Sequence, residues 1–410
     1  MNDSGLEHLN AEQKKAVLKT DGPLLVVAGA GSGKTRVITE KIKHLVQSLN
    51  VEPYHILAIT FTNKAAGELK ERLHKLEVDG AWVSTFHSMC VRILRKEAHH
   101  LGLDENFSIY DTEDQSSVIR ACLKEMQLDP AEWPVNQLLS NISLFKSRGQ
   151  TVETVEAAAE HYRDRHIARL YANYQRSLST NQALDFDDLL TRTKQLFELH
   201  PLVLEKYQRR FHYVLVDEYQ DTNSIQYWLA RELSRKSKGV TVTGDPNQSI
   251  YSWRGADIQN IMNFEKDFSG AETCKLHRNY RSTQRILQLA NQIIRHNTQR
   301  VDLELETPND EGTLPVLHCM LDTEEESRAI ALSIAHRRAS GENLSSIAVF
   351  YRTNAQSRSI EEALSSHQIP YTIVGGLRFF ERMEVKDLVA YLRFTHNPSD
   401  GISLMRVINR

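Results

Sequence analysis

The run Ala28-Gly29-Ala30-Gly31-Ser32-Gly33-Lys34-Thr35 follows an apolar stretch, Leu24 to Ala28, and opens a helical pattern near Gly33. A glycine-rich turn between a buried strand and a helix N-terminus presents backbone N–H groups that suit phosphate oxygens. In such a loop Lys34 neutralises the β/γ-phosphate charge and the Thr35 hydroxyl holds Mg²⁺. Ala28 stands where the strict pattern has glycine; strand, loop, Lys-Thr pair and helix are otherwise in place. The bland alternative is a glycine turn without a ligand.

Further along, the apolar run Tyr213-Val214-Leu215-Val216 delivers Asp217-Glu218 at its carboxyl end. Adjacent carboxylates there are costly to desolvate without a cation. Asp217 is thus the natural Mg²⁺ partner opposite Thr35, and Glu218 the base that orients and deprotonates an attacking water. An exposed acidic strand end is the alternative.

A third apolar run, Val240 to Gly244, leads into Gly244-Asp245-Pro246-Asn247-Gln248-Ser249-Ile250-Tyr251-Ser252-Trp253-Arg254-Gly255-Ala256. The Gln248 amide is placed to sense a γ-phosphate. Tyr251, Trp253 and Arg254 form an aromatic, basic cluster on which nucleic-acid bases can stack without regard to sequence; core packing of either ring is an equal alternative. Phe61 and Asn63 in Thr60 to Lys64, and Thr85 and His87 in Thr85 to Ser88, offer hydroxyls, amides and rings for the same strand. His87 reads equally as a capping or core histidine.

These segments need a scaffold that gathers strand ends. Short apolar runs alternating with helical patterns give an α/β class with a parallel sheet, with strands at Leu24 to Ala28, Ile56 to Thr60, Tyr213 to Asp217 and Val240 to Gly244. Ligands then sit at the strands' carboxyl ends. From about Met89 to Leu190 amphipathic helices dominate, including Gln115 to Met126 and Ala157 to Ser177, and read as an insertion. A second α/β unit is expected after Leu276, with strands near Val316 to Met320, Ile347 to Tyr351 and Tyr371 to Val374, and a helix from about Val385.

The 410 residues fit two to four domains, and 40% hydrophobic with 25% charged residues is a globular balance. A net charge of -3 gives no whole-chain attraction for nucleic acid, so basic contacts must be local. The four cysteines, Cys90, Cys122, Cys274 and Cys319, are widely spaced and suit a reducing compartment. No apolar stretch approaches a membrane span, and a cytoplasmic protein is expected. No His/Cys cluster has the spacing of a zinc site.

The ordered segments QKKAV, AGAGSGKT, TFTNKAA, STFHS, LDFDDLL, VDEYQDTN, GDPNQSIYSWRGA and LHRNYRS resemble the motifs of UvrD/Rep/PcrA-type superfamily-one helicases. The resemblance implies two RecA-like P-loop motor domains with ATP between them and single-stranded DNA across their top. By it, 1–88 and 190–275 form the first motor domain, 89–189 its helical insertion, 276–385 an incomplete second motor domain, and 386–410 the start of a second insertion. It assigns Gln13, Arg36 and Tyr280 to the nucleotide, Tyr280 by stacking on adenine, and makes Arg281 an arginine finger from the second motor domain. Phe61, His87, Tyr251, Trp253 and Arg254 map onto the DNA track. ATP and Mg²⁺ are the expected cofactors, and single-stranded DNA and duplex junctions the expected partners. The implied activity is 3′-to-5′ ATP-driven translocation in repair or replication, by a monomer or weak dimer, with accessory proteins as further partners. Two later motifs of the family do not occur before Arg410, so an N-terminal fragment is expected. Two other readings remain: an ATP- and DNA-binding remnant that does not unwind, and the motor part of a RecB/AddA-like helicase–nuclease.

Overall fold

The computed structural model describes residues 5–298, 301, 303–374 and 383–408. The chain divides into two compact units: Met1–Thr313 with Asp387–Arg410, and Leu314–Lys386.

In the first unit the apolar runs become strands buried on both faces. The strands are β1 (Gly22–Ala28), β2 (Ile56–Thr60), β3 (Trp82–Thr85), β4 (Ser108–Tyr110), β5 (Ala183–Asp185), β6 (Tyr213–Val216), β7 (Gly239–Gly244) and β8 (Glu272–Leu276). Six of them form one parallel sheet in the order β3-β2-β6-β7-β1-β8. Side chains alternate across it. Leu25 and Val27 enter the core on one face, while Leu24, Val26 and Ala28 enter the core on the other. β6 repeats the pattern, with Val214 and Val216 on the first face and Tyr213 and Leu215 opposite. Such continuous burial is why the strands read as unbroken apolar runs.

Parallel pairing aligns the carboxyl ends of β6, β7 and β1 along one edge, through pairs such as Val216↔Val242 and Val27↔Gly244. Helices α1 (Ala11–Leu18), α2 (Lys34–Lys43), α3 (Asn63–Lys75) and α4 (Phe86–Glu97) carry the N-terminal motifs. Asn10, Thr62 and Thr85 cap α1, α3 and α4 by accepting from backbone N–H groups of the first turn.

The expected insertion is helical, with helices Thr112–Glu125, Val135–Ser147, Val152–Ala157 and Tyr162–Thr180 around a core of its own that includes Tyr110, Ile119, Leu170 and Tyr174. The continuous helix expected over 157–177 is broken: the first helix caps at Ala158, and His161 begins the next. A small parallel pair, β4 with β5, closes the base of the insertion and was not anticipated. Beneath it, Lys146 Nζ lies 2.6 Å from Asp185 and 2.8 Å from Asp188, all three side chains almost fully buried. The C-terminal residues pack on this insertion. Asn397 donates to the carbonyls of Asn181 and Gln182, and Tyr110 donates to Asp400 at 2.8 Å.

The second unit departs from expectation. Its described elements are helices, chiefly Thr323–Ala339 and Ser357–Ser366, around a small core of Ala331, Ile334, Ile360, Leu364 and Ile369. The strands expected at 316–320, 347–351 and 371–374 are not formed. A strand exists only through its pairing, and these segments have no paired neighbour among the described residues: Leu317 is 88% and Phe350 92% exposed. No described helix is long and apolar enough to cross a membrane.

Candidate functional site

The phosphate loop leaves β1 at Ala28 and enters α2 at Lys34, with Gly31 (φ 70°) and Gly33 (φ 93°) in the left-handed region. Side chains crowd the loop: a Cβ on Gly31 would meet Arg281 and Asn279 at 2.6 and 2.7 Å, and one on Gly33 would meet Gln13 at 2.7 Å. Glycine is required here for both conformation and space. Ser32 is buried, its hydroxyl donating to Gly29 O at 2.7 Å. Ala28, the departure from the strict pattern, ends the strand with no exposure, while Gly29 and Ala30 lead into the turn.

Lys34 Nζ lies 2.8 Å from Glu218 Oε2. Glu218 itself has φ 53°, unusual for a residue with a side chain, as the chain turns sharply out of β6. Asp217 is buried and accepts from the Thr243 hydroxyl of β7 and from the Glu218 N–H. Burial first, and the Glu218 charge second, hold its carboxyl above the usual carboxylate range, against the pull of Thr243 and Lys34. Asp221 is pushed up to about 6 by the same two causes. One oxygen of Asp221 is buried without a partner.

An amide relay runs on from this acidic group. Gln220 Nε2 donates to Glu218 and its Oε1 accepts from the Asp245 N–H, both at 3.0 Å, and Gln248 donates to the Asp245 carboxylate. Lys34, Asp217, Glu218 and Gln248 therefore gather around one strand edge, as their sequence positions anticipated. Thr35 follows Lys34 on the first turn of α2, and its hydroxyl and the Asp217 carboxylate are hard oxygen donors of the kind that could hold Mg²⁺. Among the described residues no group of three or more His, Cys, Asp or Glu side chains could hold a metal ion by itself.

Gln13 lies against the loop, 1% exposed, donating to Ser32 O at 2.9 Å. Arg36 is exposed one residue beyond Thr35. Tyr280 donates its N–H to Gly31 O, and the Asn279 amide donates to Ala30 O at 2.6 Å. The 279–281 segment, with Arg281 exposed, thus sits on the phosphate loop inside the same compact unit. Beside it opens a cleft of about 410 Å³ lined by Asn10, Glu12, His277, Arg278, Glu306 and Thr307 among others.

At the other end of the edge, the Phe61 and Tyr251 rings stand 5.0 Å apart and Trp253 is 64% exposed. Thr85 and Ser88 donate to Asn63 Oδ1 at 3.4 Å. His87 meets Phe186 edge-on at 6.1 Å, and burial lowers its pKa to about 4, so its ring is neutral near pH 7. The backbone of Arg254 ends the short helix Ser252–Arg254; its side chain lies outside the described residues.

Sequence reasoning missed four residues of the arrangement: Thr243, Gln220, Asn279 and Asn10. Thr243 had a signal, as a polar residue with no exposure in the strand Gly239–Gly244. The other three owe their places to bonds between distant segments.

A parallel sheet with a phosphate loop at β1 and a carboxylate pair at β6 defines a P-loop α/β unit. Comparison with known proteins narrows the class. The UvrD/REP helicase N-terminal domain matches residues 9–269, and the UvrD-like helicase C-terminal domain matches 274–410. The chain belongs to the UvrD/REP helicase family. It is 48% identical over 407 residues to proteins named ATP-dependent DNA helicase PcrA from Staphylococcus aureus and Staphylococcus epidermidis. That match covers 98% of this chain and 56% of each relative. The C-terminal family match runs through residue 410, and the chain spans about half the length of the curated relatives it matches.

Proposed function

We propose that this chain supplies the motor of an ATP-driven DNA helicase that moves 3′-to-5′ along single-stranded DNA in the cytoplasm. The observation that carries the reading is the bonded path from Lys34 through Glu218, Gln220 and Asp245 to Gln248, three residues before Tyr251. The relatives' printed name, ATP-dependent DNA helicase, supports it. In this reading the 279–281 segment, which lies on the phosphate loop, contributes Arg281 to the nucleotide cleft.

The chemistry follows from the side chains. Lys34 is paired with Glu218, so an arriving triphosphate must draw the ammonium away, and this exchange releases Glu218 Oε2 from the ammonium while Gln220 still donates to it. The released carboxylate takes a proton from the water that attacks the γ-phosphorus; ADP and phosphate leave. Thr35 and Asp217 would hold Mg²⁺, which would supply charge neutralisation at the phosphates. Arg281, whose Cβ adjoins Gly31, would bring a guanidinium to the transferred group and stabilise the charge that develops there. Each change at Glu218 reaches Gln248 through three hydrogen bonds, by way of Gln220 and Asp245, and from there the segment bearing Tyr251 and Trp253.

Steady-state ATP hydrolysis with and without oligo-dT tests the reading. Stimulation of several-fold or more is expected. An equal rate in both conditions would overturn DNA-coupled hydrolysis.

A further inference from the structure

Helix α1, which carries Gln13, is held at both ends by side chains that have no part in the chemistry above. At its start, Asn10 makes a reciprocal capping box: Asn10 Oδ1 accepts from the Gln13 N–H at 2.8 Å, and the Asn10 N–H donates to Gln13 Oε1 at 3.2 Å. The other end of the same side chain reaches a distant segment, with Asn10 Nδ2 donating to the Tyr280 hydroxyl at 2.9 Å. One amide therefore links Gln13 on the phosphate loop to the Tyr280 ring, which is 43% exposed.

At the far end of α1, Lys41 from α2 is 1% exposed and donates to the carbonyls of Ala16 and Lys19, the first at 3.1 Å. These carbonyls belong to the helix C-terminus, where the chain leaves acceptors unpaired and the helix dipole is negative. A buried ammonium answered by carbonyls and no carboxylate is an unusual expense for a surface-lying helix. Burial, with Lys19 nearby, lowers its pKa to about 7. Since α2 begins at Lys34, Lys41 ties the phosphate-binding helix to the Gln13 helix.

We infer that Asn10 and Lys41 are positioning residues that set base selectivity: they lock α1 so that Gln13 and Tyr280 meet the purine of a nucleoside triphosphate in one register with the phosphate loop. The inference rests on the nucleotide reading proposed above and on the assignment of Gln13 and Tyr280 to the nucleotide that the family resemblance implies, and adds to them the residues that hold these two in register. Losing one hydrogen bond of this kind corresponds to about a five-fold change in an equilibrium constant.

The test is competition of ATP and GTP against a fluorescent ATP analogue on the whole chain, alongside thermal melting. Asn10→Ser keeps a capping oxygen but is too short to reach Tyr280, and Lys41→Met removes the ammonium at similar length. Each is expected to reduce the ATP-over-GTP preference about five-fold, with GTP affinity little changed. Tyr280→Phe should match Asn10→Ser, and Lys41→Arg should keep the preference. In a Gln13→Ala background Asn10→Ser should have no further effect. If Lys41→Met fails to fold, Asn10→Ser with Tyr280→Phe decides the matter. Variants that melt earlier yet keep the full preference, beside a Gln13→Ala that loses it, would overturn the lock alone. A wild-type chain that binds ATP and GTP alike would overturn the base-reading role of Gln13 and the lock with it.

Discussion

At the β6–β7–β1 end of the sheet edge the side chains are charged, largely shielded and bonded to one another; at the β2–β3 end they are aromatic or hydroxylated and stand half open. Lys34 is already paired with Glu218, and Asp217 with Thr243. Trp253 is exposed, and the half-buried Phe61 and Tyr251 rings lie against each other. The difference matches two kinds of recognition. Triphosphate binding exchanges one set of strong, directional bonds for another, so geometry is fixed in advance. Base stacking needs only a π face, so rings on a loose rim serve any sequence. The amide relay through Gln220 and Asp245 joins the two ends.

Breaking the charged end has the largest expected effect. Lys34→Ala should lower ATP turnover by about a thousand-fold or more, while strand binding without nucleotide, measured by oligonucleotide anisotropy, stays near wild type. Glu218→Gln should slow hydrolysis by about a hundred-fold or more yet retain ATP, since Lys34 loses its carboxylate competitor; single-turnover assays separate the two. At the aromatic end, Trp253→Ala should weaken oligo-dT binding by about five-fold or more, the low end of one lost stack, with ATP affinity unchanged.

Smaller effects sharpen the comparison through pH. The His87 pKa lies near 4, below its ordinary value near 6.5, so the unfolded chain binds the extra proton between those pH values. Stability therefore falls as pH drops from about 6.5 toward 4, and His87→Gln should flatten that part of the profile in thermal melts. Strand affinity should gain nothing from His87 between pH 8 and 6, because its ring stays neutral. Asp221 has the opposite sign: its carboxyl, raised to about 6, favours folding when protonated, and that contribution is lost as pH rises from about 4 to 6. Asp221→Asn should gain relative to wild type across that window, by about 1 kcal/mol or less after solvent screening.

The sheet's first strands were legible because burial on both faces leaves unbroken apolar runs, as at Leu24 to Ala28 and Ile56 to Thr60. The candidate site was legible where chemistry demands particular residue types at strand ends: Lys34, Asp217, Glu218 and Gln248. The bonds of Gln220 to Asp245 and of Asn10 to Tyr280 were not, since they join segments whose meeting depends on the whole topology. The strands expected after Leu276 show the converse limit. Apolar composition at Val316, Leu317 and Phe350 reports β tendency, but pairing makes a strand, and these segments have no paired neighbour among the described residues.

Reciprocal binding tests the joined-edge account most directly. Oligo-dT affinity is measured by anisotropy with and without a saturating, slowly hydrolysed ATP analogue, in wild type and in Gln220→Ala. The account predicts an affinity shift of about five-fold or more in wild type that largely disappears in Gln220→Ala while each ligand still binds. Identical affinity with and without nucleotide in wild type, or an undiminished shift in Gln220→Ala, would contradict it.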